Sequence, residues 1–252
     1  MNIFRTLIRP YLQVQYAIHK FSGTGSFGPD QARYIEPLEL PGPNPLKNAM
    51  FRHHVKQYHE ASCSVASVVS VVNALKDIQQ TKTDPPLTQM DILETVRTAN
   101  WKERMSEAGD KGKRGLPLSM LGDVVKSSLD IYGITYRSVE TVQVTKDPEK
   151  SDFYKKNLLS RLYEFDPLGK AVIIAHFNQG SFVKALQIPH ISPVGGFDIK
   201  TKTVTMLDVD FLQKKPYKIS FDRFYEGISC DYHKLFSSFG YGSGGYIYIR
   251  LS

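Results

Sequence analysis

The chain has 252 residues, 41% hydrophobic and 23% charged, which excludes a disordered polypeptide and supplies apolar surface for one large domain or two small lobes. Lys and Arg outnumber Asp and Glu by 32 to 25. The excess is scattered, and its one short cluster, Lys111, Lys113 and Arg114 in a Gly-containing loop, is too small for a nucleic-acid stripe. Two cysteines, Cys63 and Cys230, exclude a disulfide scaffold and fit a reducing compartment.

Residues 1–29 hold no Asp or Glu and carry Arg5, Arg9 and Lys20. Ile3, Phe4, Leu7 and Ile8 fall on one helix face, which Pro10 is expected to interrupt. Residues 1–34 are read as an extension packed on a domain spanning 35–252, with a targeting or membrane-surface role left open. The expected location is otherwise the cytoplasm, and no apolar run is long enough to span a bilayer. Residues 22–48, rich in Gly and Pro, form an irregular lead-in. From 49 to about 130 the pattern is helical. The Val-rich run after Cys63 has strand propensity, but its length and the spacing of Ser64, Ser67, Ser70 and Asn73 predict a buried helix with a small polar stripe. Further helices are expected over Thr88–Thr98 and Leu116–Leu129, the latter stopped by Gly133. Beyond residue 170, Lys170–Phe177, Val194–Phe197, Thr203–Val209 and Tyr246–Leu251 read as strands. The Gly-rich stretch 240–245 precedes a strand rather than joining strand to helix, so it reads as a turn and not a phosphate loop. A helical first half and a strand-rich second half make an α+β fold.

Cys63 is expected at the N-terminus of its helix, where unpaired N–H groups and the macrodipole favour a thiolate nucleophile. A small buried hydrophobe is the plainer reading of the same residue. The Gln57 amide either donates to an oxyanion or faces water. Of seven histidines, His53, His54 and His59 crowd before Cys63 with no second ligand group, so no metal site is expected; His176 reads as a core residue. Folding 190–208 as a hairpin about Ile199 opposes Val194 to Val204, Ser192 to Met206 and His190 to Asp208. Asp208 then orients the imidazole of a nucleophile–base–orienter set, or the two are a surface pair worth little.

Taken together, Q57-x5-C63-S-x-A-S-x-V-x-V-x-N-A-L75, H190-I-S-P-V-G-G-F197 and L207-D208-V209 resemble the signature of the phytochelatin synthase catalytic domain, over roughly residues 35–230. The resemblance implies a papain-like fold, with a helical lobe carrying the nucleophile helix and an antiparallel β lobe carrying the His/Asp hairpin. It implies that Cys63 attacks the Cys–Gly amide of glutathione, with His190 as general acid/base, Asp208 as its orienter and Gln57 as an oxyanion donor. The γ-glutamylcysteinyl group would pass to glutathione, to a growing phytochelatin or to water. No tightly bound cofactor is implied; cadmium or zinc would enter as thiolate complexes of the substrate. A homodimer stays open, and a peptidase acting on another peptide is the alternative. Ser64 replaces the family's Gly after the nucleophile, and Pro189 its Gly before the histidine. Gln179 and Phe211 stand where arginines are usual, so γ-glutamylcysteine is expected to exceed oligomers among the products. Lys184, Lys214, Lys215 and Arg223 are the candidates for compensating charge.

Overall fold

In the computed structural model the described residues are 3–21, 32–35, 42–81, 85–182, 186–232, 234–237 and 239–252. The first half holds helix α1 (Ile3–Phe21), strand β1 (Ala32–Tyr34), then α2 (Pro45–Arg52), α3 (Cys63–Ile78), α4 (Gln89–Thr95), α5 (Trp101–Met105) and α6 (Leu118–Ile131). The second half holds β2 (Ser138–Gln143), α7 (Pro148–Phe165), β3 (Ala171–Asn178), β4 (Pro189–Asp198), β5 (Thr203–Met206), β6 (Tyr217–Ser220), α8 (Phe221–Ile228), α9 (Lys234–Ser237) and β7 (Gly245–Arg250). The strands form one antiparallel sheet in the order β1-β6-β5-β4-β3-β7-β2. With its flanking helices it makes the α+β, papain-like architecture expected of the sequence.

The Val-rich run is helical because α3 is buried from Cys63 through Lys76, and packing on all sides outweighs β-branched propensity. Its polar stripe ties the helix to its surroundings. Ser64 accepts from Trp101 Nε1 of α5, Ser67 donates to the Ile191 carbonyl of β4, Ser70 accepts from Val55 N–H, and Asn73 clasps both backbone groups of Leu87. The Ser67 bond joins α3 to the sheet one residue from His190. Local signals set α4 and α6 as expected. Thr88 and Asp91 form a capping box at the start of α4. Gly133, at φ +65°, lets the chain turn back after α6, where Ile134 N–H reaches the Leu129 carbonyl.

Four expectations are corrected. Helix α1 runs through Pro10 instead of stopping there. Pro10 is exposed, so water can meet the carbonyl it leaves unpaired, while Tyr11, Leu12 and Tyr16 pack on the core and hold the helix past it. The strand-rich half holds the 18-residue α7, whose apolar face is only the stripe Leu158, Leu162 and Phe165. The hairpin register also differs. Observed pairs are Val194 with Met206, Phe197 with Val204 and Asp198 with Thr203, with a bulge between Val194 and Gly196. The turn therefore lies beyond Ile199, where Asp198 Oδ1 accepts from Lys200 and Thr201 N–H and Lys202 takes φ +50°. Gly195 occupies the bulge because a Cβ there would sit 2.7 Å from Leu207 Cγ. Ala32–Tyr34, assigned by sequence to the extension, pair with β6 as the sheet edge. Much of the Gly/Pro-rich lead-in, 22–31 and 36–41, lies outside the described residues.

Candidate active site

The site is built where the N-terminus of α3 meets β4. The turn before α3 is fixed by Ser62, whose hydroxyl accepts from the N–H groups of Tyr58 and His59 and donates to the His59 carbonyl. The next residue, Cys63, opens the helix and is only 8% exposed. Its sulfur lies close enough to His190 to help raise that imidazole's pKa. The other side of that ring is occupied: His190 Nε2 lies 2.7 Å from Asp208 Oδ1, which leaves Nδ1 for Cys63.

Asp208 follows β5 and is fully buried, as His190 nearly is. The register shift places Ser192, not His190, at Asp208's level. His190, two residues away on the same face of β4, is reached by the carboxylate along that face. Oδ1 also accepts from Asp210 N–H at 2.9 Å and lies 3.4 Å from Ser192 Oγ, while Tyr217 Oη donates to Oδ2 at 2.7 Å. The Asp208 carbonyl receives Lys56 Nζ at 2.5 Å, with His54 Nε2 at 3.1 Å. A buried carboxylate with this many partners has one orientation.

Burial alone would drive both members of the pair toward neutrality. It lowers the His190 pKa, but the Asp208 charge and hydrogen bond, followed by Cys63, raise it more, to about 10. Burial raises that of Asp208, but His190, Asp210 N–H and Tyr217 hold it well below the usual carboxylate range. The geometry therefore favours a protonated imidazole against an ionised aspartate, beside the Cys63 sulfur.

Gln57 is anchored to the same place, its N–H donating to Val209 O at 2.8 Å, next to Asp208. Its side chain is buried, yet neither Nε2 nor Oε1 has a partner. An unpaired buried amide is costly unless something transient completes it.

Cys63 opens onto a pocket of about 220 Å³. Its walls come from α1 through Leu12 and Tyr16, from the loop after α5 through Arg114 and Gly115, and from Tyr241 and Phe236. Burial pushes the Tyr16 hydroxyl pKa well up, with smaller contributions from Asp210 and Cys63, so Tyr16 lines the pocket as a neutral phenol. Ser192, Tyr217, Tyr16 and Arg114 escaped the sequence reading. Ser192 stands inside the H-x-S-P run; Tyr16 and Arg114 carried no local signal of a site.

The three crowded histidines face different partners: His53 meets Asp77, His54 meets Asp208 O and His59 Nδ1 accepts from Ala61 N–H. Among the described residues no three His, Cys, Asp or Glu side chains converge as metal ligands. His176 is a core residue, bonded to Tyr232 Oη and the Leu116 carbonyl, with burial lowering its pKa to about 4. Burial pushes the Cys230 thiol up to about 11, a poor nucleophile near neutral pH. Gln179 is buried and donates to Asp210 Oδ2, and Phe211 is 50% exposed. Neither lines the pocket, nor do Lys214, Lys215 or Arg223; Lys184 lies outside the described residues.

A family model described as phytochelatin synthase matches residues 47–235, well over half of the chain, and this stretch contains Gln57, Cys63, His190 and Asp208. No curated protein matches the chain. No helix among the described residues is long and apolar enough to cross a membrane.

Proposed function

The chain belongs to the phytochelatin synthase family, and from that premise we propose that it transfers the γ-glutamylcysteinyl group of glutathione through a thioester on Cys63. The observation that carries the reading is the unbroken line Cys63–His190–Asp208, ending at a pocket beside Cys63. His190 holds the proton of Cys63, and the thiolate attacks the carbonyl carbon of the Cys–Gly amide. Charge develops on the carbonyl oxygen. The Gln57 amide, buried with no partner, supplies a donor for it along with the free N–H groups of the first turn of α3. His190 then protonates the glycine nitrogen, the C–N bond breaks, glycine departs and the acyl group remains as a thioester.

In the second half His190, now neutral, takes a proton from the acceptor. Water gives γ-glutamylcysteine. The α-amine of a second glutathione gives a new amide and a lengthened peptide. Either way the sulfur leaves as thiolate and His190 ends as it began. Asp208 holds Nδ1 toward Cys63 throughout and stabilises the imidazolium. Metal ions such as cadmium or zinc take part as thiolate complexes of the substrate, and no resident site forms among the described residues.

The test is mass spectrometry of protein quenched during turnover of glutathione, with product analysis alongside. A γ-glutamylcysteinyl adduct on Cys63, absent in Cys63→Ala, is expected. Glycine release that survives in Cys63→Ala would sink the assignment. Cleavage of unrelated peptides with no turnover of glutathione would make the protein a peptidase instead.

A further inference from the structure

Among the described residues lining the pocket, Arg114 is the one cation. It belongs to the short basic cluster that the sequence shows without a purpose, and the loop that carries it is built to a fixed shape. Asp110 and Lys113 bond each other's backbone in both directions, while Gly109, Lys111, Gly112 and Gly115 take φ between +51° and +74°. Buried Arg104 holds the Gly115 carbonyl at 2.9 Å. Gly115 packs so closely on Tyr241 that a Cβ would lie 2.2 Å from its hydroxyl. The Arg114 guanidinium uses one N–H on Glu60, at 3.2 Å, and its buried Nε has no partner. Glu60 lines the same pocket, three residues before the nucleophile. Burial raises its pKa, but its own backbone N–H and Arg114 lower it more, so the pair is fully charged.

Resting on the reaction proposed above, we infer that Glu60 and Arg114 recognise the free α-ammonium and α-carboxylate at the γ-glutamyl end of the substrate. The γ-linkage leaves these two groups on one carbon, an arrangement that an ordinary internal peptide residue lacks. A resident ion pair opens to admit that zwitterion, each member exchanging its neighbour for a substrate group of the same sign. No net charge enters the pocket, so the desolvation penalty of a lone ion is avoided. The unpaired Nε gives Arg114 a second parallel donor for a carboxylate, the fork geometry that lysine lacks. The glycine carboxylate is the poorer occupant, because no ammonium accompanies it and Glu60 repels it.

The assignment is tested by kcat/KM for glycine release from glutathione and three analogues. 4-Aminobutanoyl-Cys-Gly lacks only the α-carboxylate, glutaryl-Cys-Gly lacks only the α-ammonium, and γ-Glu-Cys-glycinamide lacks only the terminal carboxylate. The wild type is expected to favour glutathione over each of the first two by about ten- to a hundredfold, the worth of a hydrogen bond to a charged group. Arg114→Gln should collapse the first ratio to within about threefold and leave the glycinamide ratio alone. Glu60→Gln should collapse the second, and Arg114→Lys should restore part of the first. Such ratios do not depend on how much of a variant is folded. An unchanged first ratio in Arg114→Gln overturns the assignment, as does collapse of the glycinamide ratio instead. A wild type that releases no glycine from glutathione overturns the proposed reaction itself, whatever the variants do.

Discussion

Replacing Asp208 by Asn removes one buried charge and keeps its shape. The amide oxygen can still accept from His190 and from Asp210 N–H, and its nitrogen can donate to the Tyr217 oxygen, so the fold should survive. The protonation of His190 should not. Burial lowers the imidazole pKa; Asp208 is the largest opposing cause and Cys63 a smaller one, and together they bring it from 6.5 to about 10. That difference is on the order of 5 kcal/mol, an upper bound at about 1.4 kcal/mol per pH unit, and breaking buried pairs commonly costs about 3–5. A raised pKa means that the folded protein holds the extra proton between pH 6.5 and 10. His190's contribution to stability is therefore complete below 6.5 and vanishes as pH rises through 10. Asp208, held low, contributes above the ordinary carboxylate range and loses its contribution as pH falls toward its folded pKa. In Asp208→Asn, burial prevails and the His190 pKa falls below 6.5. The stability gap between wild type and variant, measured by urea unfolding, should then shrink steadily from pH 6 to pH 10. The alkaline limb of kcat/KM should move down by at least about two units, and kcat at pH 7 should fall about a hundredfold or more. A pH-independent stability gap with an unmoved alkaline limb would refute the charged-pair account.

Gln57→Ala should lower kcat about a hundred- to a thousandfold with little change in KM, the pattern of a donor used only in the transition state; a change confined to KM would point to ground-state binding instead. Leu12→Ala combined with Tyr16→Ala removes two side chains of α1 from the pocket wall, and alkylation of Cys63 by iodoacetamide should accelerate severalfold; an unchanged rate would mean that α1 does not cover the thiol. Protein whose Cys63 has been alkylated should take up no stoichiometric zinc by calorimetry, since His53, His54 and His59 have separate partners; tight uptake would reveal a resident site.

What the sequence made legible was local. The α3 polar stripe, the helix start at Thr88 and the Gly133 stop are patterns over a few residues, and each appears where it was read. The Asp208 position shows the limit. Its proximity to His190 was deduced from a hairpin drawn without a bulge, and the observed register differs, yet the carboxylate still reaches Nε2. Residues of one parity share a face whichever pair is directly opposed, so the face was legible and the register was not. The bulge depends on a contact between Gly195 and Leu207 that no local pattern announces.

The pocket was less legible for a physical reason. A nucleophile and a base each have a signature in their own segment, because a helix start and a strand face are local facts. A pocket wall exists only after folding. Leu12 and Tyr16 come from α1, Glu60 from the turn before α3, Arg114 from the loop after α5 and Tyr241 from the turn before β7. No spacing links them. The two departures that seemed to weaken carboxylate recognition, Gln179 and Phe211, prove to lie off the pocket. The cation that does line it came from a cluster with no apparent role in sequence. Gln179 instead holds Asp210, itself hydrogen-bonded through its N–H to Asp208. An arginine at 179 would therefore bear on the fixed orientation of Asp208 before it touched a substrate, and the chemistry proposed at Cys63 and the recognition proposed for Arg114 can vary independently.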